Sequence, residues 1–500
     1  MKDLSTLNSW HADWRGLKVA VIGLGVTGFS VADTLAELGA NVLVVAEKAD
    51  ADQLDILDVL GVAHVTGEAV ASTDGVPPEL IAHAPQVLVT SPGVRPDAAV
   101  IRWAEAQGIA IWVDIDLAWR VRDKVGAPAE WICITGTNGK TTTTQLTTEM
   151  LVESGARAMS CGNIGTPILD AIRDPQGFDY LVVELSSFQL HYLNVAPGTG
   201  VHPLASAVLN IDYDHLDWHG GYQNYAKTKG KVYENTRIAC VFNVADKATM
   251  KLVEDADVVE GCRAVGFGTD APGRSDIGFV EDILVDRAFV ESYDEAQPIA
   301  DHRDIEQIGV VITPHLLQNI AAAAALARAA GIDRQRIRHA IRNFRMDGHR
   351  IELVGEACGV RWYDDSKATN PHAAAASLAS FGNVVWVVGG LLKGVDVGPL
   401  VKRFAHKLRA AIVIGLDRAP VLAALAEHAP GVPVADIEAG PTVMKRVVAA
   451  AAGYATDGDV VLLAPSSASM DQFKDYADRG NQFAKAVRAH IGAQLDGTDG

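Results

Sequence analysis

Short apolar runs alternate with stretches of helical spacing along most of this chain. Lys18–Ile22 is apolar and β-branched, Gly23–Gly28 is a glycine turn, and Phe29–Leu38 has helical spacing up to Gly39. Val42–Val45 reads as a second strand and Val87–Thr90 as another, stopped by Ser91-Pro92-Gly93. Buried apolar runs separated by helices predict a parallel sheet covered on both faces. The pattern restarts after the connection Asp123–Glu130, which contains Gly126 and Pro128. There Trp131–Thr135 is a strand, Gly136–Gly139 a turn, and a helix runs from Lys140 towards Glu153. Val182–Leu185 and Ala205–Leu209 are further strands, Glu254–Gln307 is an acidic, strand-like excursion, and Asn319–Ala330 is an Ala-rich helix. Past Phe344–Gly348 the alternation resumes from Arg361, with strands at Val384–Val388, Ala411–Ile414 and Val460–Ala464. The expectation is an α/β protein of three domains, each on a mainly parallel sheet, over residues 1–116, 117–346 and 347–500.

Composition narrows the class of function. With 43 basic against 62 acidic side chains the formal net charge is −19, so a phosphate backbone is repelled and no nucleic-acid partner is expected. Any bound phosphate must then sit in a local pocket. The five cysteines (Cys133, Cys161, Cys240, Cys262, Cys358) are widely spaced and form no C-x-x-C pair. That argues against a disulfide framework or a zinc knuckle and suits a reducing cytoplasm. The polar stretch Met1–Gly16 has no signal-peptide core, and no apolar run reaches the roughly 18 residues of a spanning helix. Neither secretion nor membrane insertion is expected.

Two glycine turns carry the first candidate chemistry. Gly23-Leu24-Gly25-Val26-Thr27-Gly28 is a G-x-G-x-x-G between a strand and a helix, with Glu47 at the end of the second strand. Read alone, it suits a dinucleotide whose phosphates meet the helix N-terminus and whose ribose meets Glu47. Its bland alternative is a tight turn for strand–helix packing. Gly136-Thr137-Asn138-Gly139-Lys140-Thr141, followed by Thr142, is more specific, although Ile134 replaces the first glycine of the usual spacing. Backbone N–H groups of such a loop cradle phosphates, the lysine reaches the outer ones and the threonine hydroxyl faces Mg²⁺, so a nucleoside triphosphate is expected. Glu184 ends a strand, where a carboxylate holds Mg²⁺ directly or through water, or else caps a helix. Asn210–Asp217 gathers His215 among three aspartates, which favours a pocket beside a metal. Lys227, Lys229 and Lys231 on one helical stretch are by default a solvated face.

At these residues the sequence resembles the Mur ligases, the ATP-dependent amino-acid ligases of peptidoglycan synthesis. The matching pieces are Gly136–Thr142, Gly162-Asn163-Ile164-Gly165, Glu184–Gln189, Asn210–Asp217 and Arg350, in the family's three-domain order over nearly the whole chain. The resemblance implies a Rossmann-like N-terminal domain, a P-loop ATPase-like central domain and a Rossmann-like C-terminal domain. It reassigns the first glycine turn to the UDP of a substrate, with Thr27 and Gly93 against the UDP moiety, Asn163 touching the muramoyl part and His215 a further contact of that substrate. It implies that ATP meets Gly136, Thr137, Asn138, Gly139, Lys140, Thr141, Thr142, Asn319, Arg350 and Asp365. Two Mg²⁺ sites follow from it, one at Thr141 and Glu184 and one at His215 and Lys229, the latter as its carbamate. Lys140, Glu184, His215 and Lys229 are the implied catalytic set.

Two further stretches, Asp365-Ser366-Lys367-Ala368-Thr369-Asn370 and Ser469-Met470-Asp471-Gln472-Phe473-Lys474, are similar to the branch that adds D-glutamate to UDP-N-acetylmuramoyl-L-alanine. Lys367, Thr369, Lys393, Ser469, Met470 and Tyr476 would form its D-glutamate pocket. The Asp-Asn-Pro-Arg motif of the diaminopimelate-adding branch is not found here. A sister ligase adding another amino acid is the alternative, and a monomer is expected.

Overall fold

Strands that are apolar at every position gain most when both faces are covered, and the chain folds accordingly. The computed structural model describes residues 2–67, 75–196, 198–292 and 294–496. Strands β1 (Lys18–Ile22), β2 (Asn41–Ala46), β3 (Ala63–Thr66), β4 (Val87–Thr90) and β5 (Ala110–Trp112) pair in parallel in the order β3-β2-β1-β4-β5. The order reverses between β1 and β4, and an open parallel sheet takes its ligand at such a switch point, outside the carboxyl ends of the strands. Helix Val26–Glu37 begins at Val26, not Phe29, so Gly28 lies inside it. A Cβ on Gly28 would sit 2.1 Å from the Gly23 carbonyl oxygen, so only glycine lets the helix start this close to the turn.

The second sheet comprises β6 (Glu130–Thr135), β7 (Ala158–Gly162), β8 (Tyr180–Glu184), β9 (Ala205–Val208), β10 (Ala239–Asn243), β11 (Arg263–Phe267), β12 (Asp276–Val280), β13 (Ile283–Asp286) and β14 (Gln297–Asp301). Its order is β14-β13-β12-β11-β10-β9-β6-β8-β7. The strands from β6 to β12 pair in parallel, and β12-β13-β14 form an antiparallel meander. That meander is the strand-like excursion expected from the sequence. β14 closes one margin of the sheet, with Pro298 beside Val285 and Arg334 Nη1 donating to the Pro298 carbonyl at 3.0 Å.

In the third sheet β15 (Glu352–Ala357), β16 (Val360–Asp364), β17 (Val384–Gly389), β18 (Leu408–Ile414), β19 (Val434–Asp436) and β20 (Val460–Leu463) run in the order β15-β16-β20-β17-β18-β19. All pairs are parallel except β15 with β16. Every residue of β17 is buried, and its side chains alternate between two cores. Val384, Trp386 and Val388 share one core with Leu378, Leu400 and Leu425, while Val385 and Val387 share the other with Val447 and Phe483. Each buried aliphatic side chain contributes about 1.5–3 kcal/mol. The Trp386 indole N–H is satisfied by the Ala464 carbonyl at 2.8 Å.

The three sheets fall into two compact units. The first two sheets belong to Met1–Ile211, Trp218–His302 and Gln318–Ile341; the third belongs to Arg342–Gly500, with Asp212–Asp217 and Arg303–Leu317. Among the described residues no helix is long and apolar enough to cross a membrane.

Candidate active site

At the β1/β4 switch point the two loops lean on each other. Ser91 Oγ donates to the Gly23 carbonyl at 3.3 Å, and Gly23 N–H donates to the Val45 carbonyl at 2.8 Å. A Cβ on Gly25 would meet nothing within 4 Å, unlike one on Gly23 or Gly28, so this glycine leaves backbone open to an incoming group. Thr27 lies in the first turn of the helix after β1, and Gly93 is exposed after β4. They follow β1 and β4, the two strands that meet at the switch point.

The second glycine turn sits at the next switch point, between β6 and β9. Gly139 has φ 84° and precedes helix Lys140–Glu153, whose first-turn Thr141 and Thr142 are buried. Asn210, two residues after β9, fastens the loop: its carbonyl accepts from Thr137 N–H at 2.9 Å and its Oδ1 from Asn138 N–H at 2.8 Å. Its Nδ2 donates to the Asn138 carbonyl at 3.1 Å. Lys140 Nζ folds onto the carbonyls of Gly136 (2.9 Å) and Thr137 (3.0 Å). A Cβ on Gly139 would lie 2.3 Å from Asn319 Oδ1, so Asn319 is at the loop.

Lys229 departs from the solvated face expected of the three lysines. Lys227 is exposed and Lys231 reaches the His191 carbonyl, whereas Lys229 is 2% exposed. Its Nζ donates to the same Gly136 carbonyl at 2.9 Å and to Thr135 Oγ1 at 3.3 Å, beneath the Tyr225 ring. The Tyr225 hydroxyl in turn pairs with Thr137 Oγ1 at 2.9 Å.

Glu184 ends β8 opposite Ile134 and is 3% exposed. Asn163 Nδ2 donates to its Oε1 at 3.0 Å, while its buried Oε2 has no hydrogen-bond partner among the described residues. Ser186, not Glu184, caps the following helix Ser187–Tyr192. Gln189 in that helix donates to both oxygens of Asp114 at 3.1 Å. Asp116 accepts from the backbone of Val113 (3.0 Å) and Asn194 (2.9 Å). Burial pushes both aspartates up to about 6. Sequence reasoning missed this network.

The remaining candidates lie in the second unit. His215 belongs there, with φ 51° and its Nε2 3.6 Å from Asp214 Oδ2, whereas Lys229 belongs to the first unit. Asp365, Lys367 and Thr369 follow β16, Lys393 follows β17, and Ser469 and Met470 follow β20, so all surround the third sheet's switch point. Leu391 and Ala468 exchange backbone hydrogen bonds of 2.9 and 3.0 Å, joining two of these loops. Lys367 Nζ donates to the Tyr476 hydroxyl at 2.7 Å and lies 4.0 Å from that ring's centroid. Ser469 is buried, while Met470, Thr369 and Lys393 are exposed. Burial pushes Asp365 up to about 7, opposed by a hydrogen bond from Ser377 and by the Arg350 guanidinium.

Two supporting devices in this unit had no sequence signal. His349 Nδ1 meets Asp364 Oδ2 at 2.6 Å, which clamps the residue before Arg350 to the residue before Asp365. A Cβ at Gly480 would lie 2.2 Å from that nitrogen. Arg479, fully buried, donates to Ser366 Oγ (2.9 Å), the Ser366 carbonyl (2.8 Å) and the Ser467 carbonyl (3.1 Å), tying the loops after β16 and β20.

Comparison with known proteins places the sequence in a family. The family model described as the Mur ligase middle domain covers residues 134–327, the Mur ligase glutamate ligase domain 349–467, and the MurD-like N-terminal domain 17–113. A UDP-N-acetylmuramoylalanine–D-glutamate ligase of Leifsonia xyli subsp. xyli is 55% identical, over 99% of this chain and 96% of its own. The chain belongs to the Mur ligase family. A protein of the same name from Streptomyces avermitilis is 47% identical to this Mur ligase, over 95% of this chain and 99% of its own. Among solved structures, the UDP-N-acetylmuramate–alanine ligase MurC of Thermotoga maritima has a TM-score of 0.56 at 17% identity, covering 95% of this chain and 99% of that one. The MurF ligase of Thermotoga maritima in complex with ADP has a TM-score of 0.54 at 18% identity, covering 99% and 100%. At such identities these Mur ligase structures speak for the shared fold.

Proposed function

We propose that this Mur ligase joins the amine of D-glutamate to the terminal carboxylate of UDP-N-acetylmuramoyl-L-alanine, consuming ATP, in cytoplasmic peptidoglycan precursor synthesis. The observation that carries the reading is end-to-end identity of 55% and 47% to relatives named for this reaction. Amide formation straight from a carboxylate would require hydroxide or oxide to leave. Accepting the γ-phosphoryl group of ATP first gives an acyl phosphate; the amine then adds, and phosphate departs from the tetrahedral intermediate. Such chemistry asks the protein mainly for positioning and charge neutralisation.

In this reading Gly136–Thr142 cradle the triphosphate, Lys140 exchanges its carbonyl partners for the outer phosphates, and Asn319, Arg350 and Asp365 meet the nucleotide. A hard divalent cation fits Glu184 and Thr141, because a buried carboxylate oxygen without a hydrogen-bond partner among the described residues lies beside a phosphate loop. When bound, Mg²⁺ neutralises charge on the phosphates. His215 and Lys229 serve a second such site. Carbamylation of Lys229 supplies the anion it needs and removes one of two like charges from the Gly136 carbonyl. Thr27, Gly93, Asn163 and His215 hold the UDP substrate. Lys367, Thr369, Lys393, Ser469, Met470 and Tyr476 receive D-glutamate, whose two carboxylates need local cations in a protein of net charge −19. Domains of 1–116, 117–346 and 347–500 in a monomer complete the reading.

The test is phosphate release from ATP and Mg²⁺ with UDP-N-acetylmuramoyl-L-alanine, comparing D-glutamate, L-glutamate, L-lysine, meso-diaminopimelate and no amino acid. Release with D-glutamate alone is expected. Release with another amino acid would keep the family and overturn the pocket, and none with any would overturn the ligase.

A further inference from the structure

The reaction uses none of the five cysteines, yet the fold brings two of them together. Cys240 lies within β10, and Cys262 immediately precedes β11, its parallel neighbour. Their sulfurs are 3.8 Å apart. A disulfide needs about 2 Å; Cys240 is in register with Ala264, so closing the bond draws the backbone at Cys262, just outside β11, towards β10. The two environments differ. Cys240 is 2% exposed, with Ser206 Oγ 3.9 Å from its sulfur. Cys262 is half-buried, so a small oxidant reaches it. The hydrogen bond between the thiols holds Cys262 below the usual thiol range and pushes Cys240 above it, burial adding to the latter. An accessible, acidified thiol beside a second, resolving thiol is the arrangement of oxidisable cysteine pairs.

We propose that Cys240 and Cys262 are a redox modification site, closing to a reversible disulfide on exposure to a hydroperoxide. The Cys262 thiolate attacks the O–O bond and becomes a sulfenic acid. The alkoxide or hydroxide that leaves takes up the proton the thiol gave away. The Cys240 sulfur then attacks the sulfenic sulfur, and hydroxide leaves with the Cys240 proton as water. Two thiols and one hydroperoxide thus yield one disulfide, one alcohol (water, for hydrogen peroxide) and one water, both electrons ending on the peroxide oxygens. Exchange with a small thiol reverses the bond. The covalent ring would enclose Asn243, which donates to the Leu209 carbonyl at 3.1 Å, and Asp246, which accepts from Ile211 N–H at 2.8 Å. These two flank Asn210, so the bond forms in the scaffold behind the phosphate loop.

The test exposes the reduced full-length protein to a small excess of hydrogen peroxide, blocks remaining thiols with iodoacetamide and reads the digest by mass spectrometry. The expected product is a Cys240–Cys262 cross-linked peptide pair, about 2 Da lighter than its thiol form. It should disappear with dithiothreitol and be absent from Cys262→Ser. In Cys240→Ala, Cys262 should stop at a sulfenic acid that dimedone traps. Recovery of wild-type Cys262 as the alkylated thiol or as sulfinic acid, at a dose that oxidises the exposed Cys358, would overturn the proposal.

Discussion

The Gly136 carbonyl accepts two ammonium groups, from Lys140 and Lys229, and so concentrates cationic charge at the loop's first residue. Gly139 keeps the opposite end of the loop open. Its φ of 84° favours glycine, and any Cβ there would collide with Asn319 Oδ1. Gly139→Ala should therefore raise the KM for ATP by roughly tenfold or more while leaving that for D-glutamate nearly unchanged. Steady-state kinetics with each substrate varied in turn checks it. The His349–Asp364 clamp makes a different prediction. The Asp364 carboxylate pushes His349 up, so the pair stabilises fully below the unfolded pKa of about 6.5 and fades as pH rises through the raised value. Asp364→Asn should thus lose more stability at about pH 6 than at about pH 9, where His349 is neutral. Denaturant unfolding at both pH values decides, and equal losses would count against a charged clamp.

Among elements, helix Lys140–Glu153 and strand Val87–Thr90 fall on the residues their patterns indicate, because an apolar run or a turn acts locally. The P-loop likewise announced itself in consecutive residues. What stayed hidden depends on long-range meeting. His349 and Asp364 are 15 residues apart, Cys240 and Cys262 are 22, and Arg479 and Ser366 are 113. No local spacing encodes those pairs, and a buried lysine such as Lys229 reads like its exposed neighbour Lys227 until the helix is docked. The Asp114–Gln189 contact, which joins helix Asp114–Val121 to helix Ser187–Tyr192, is another such meeting. Burial lifts Asp114 to about 6. The folded state therefore holds its proton longer than the unfolded one, and stability falls as pH climbs from about 4 to that value. Asp114→Asn, which keeps an acceptor for Gln189, removes this fall. Its stability relative to wild type should rise between about pH 4 and pH 6 by an amount on the order of 3 kcal/mol, read from denaturant midpoints.

For the whole molecule, ligand binding and folding are linked. ATP with Mg²⁺ should raise the Tm in proportion to the logarithm of its concentration above Kd. Lys140→Met should lose most of that shift while keeping the response to the UDP substrate, which calorimetry separates; an unchanged ATP shift would remove Lys140 from the nucleotide site. The margin of the nine-stranded sheet bears on another collective property. Where β14 ends that sheet, Pro298 lacks an N–H and Arg334 already sits on its carbonyl. A second copy approaching this margin finds one rung without a donor and its acceptor taken, so strand-to-strand growth between copies is disfavoured at that rung. The same few atoms that finish the sheet thereby help keep a crowded population of these molecules from polymerising through it.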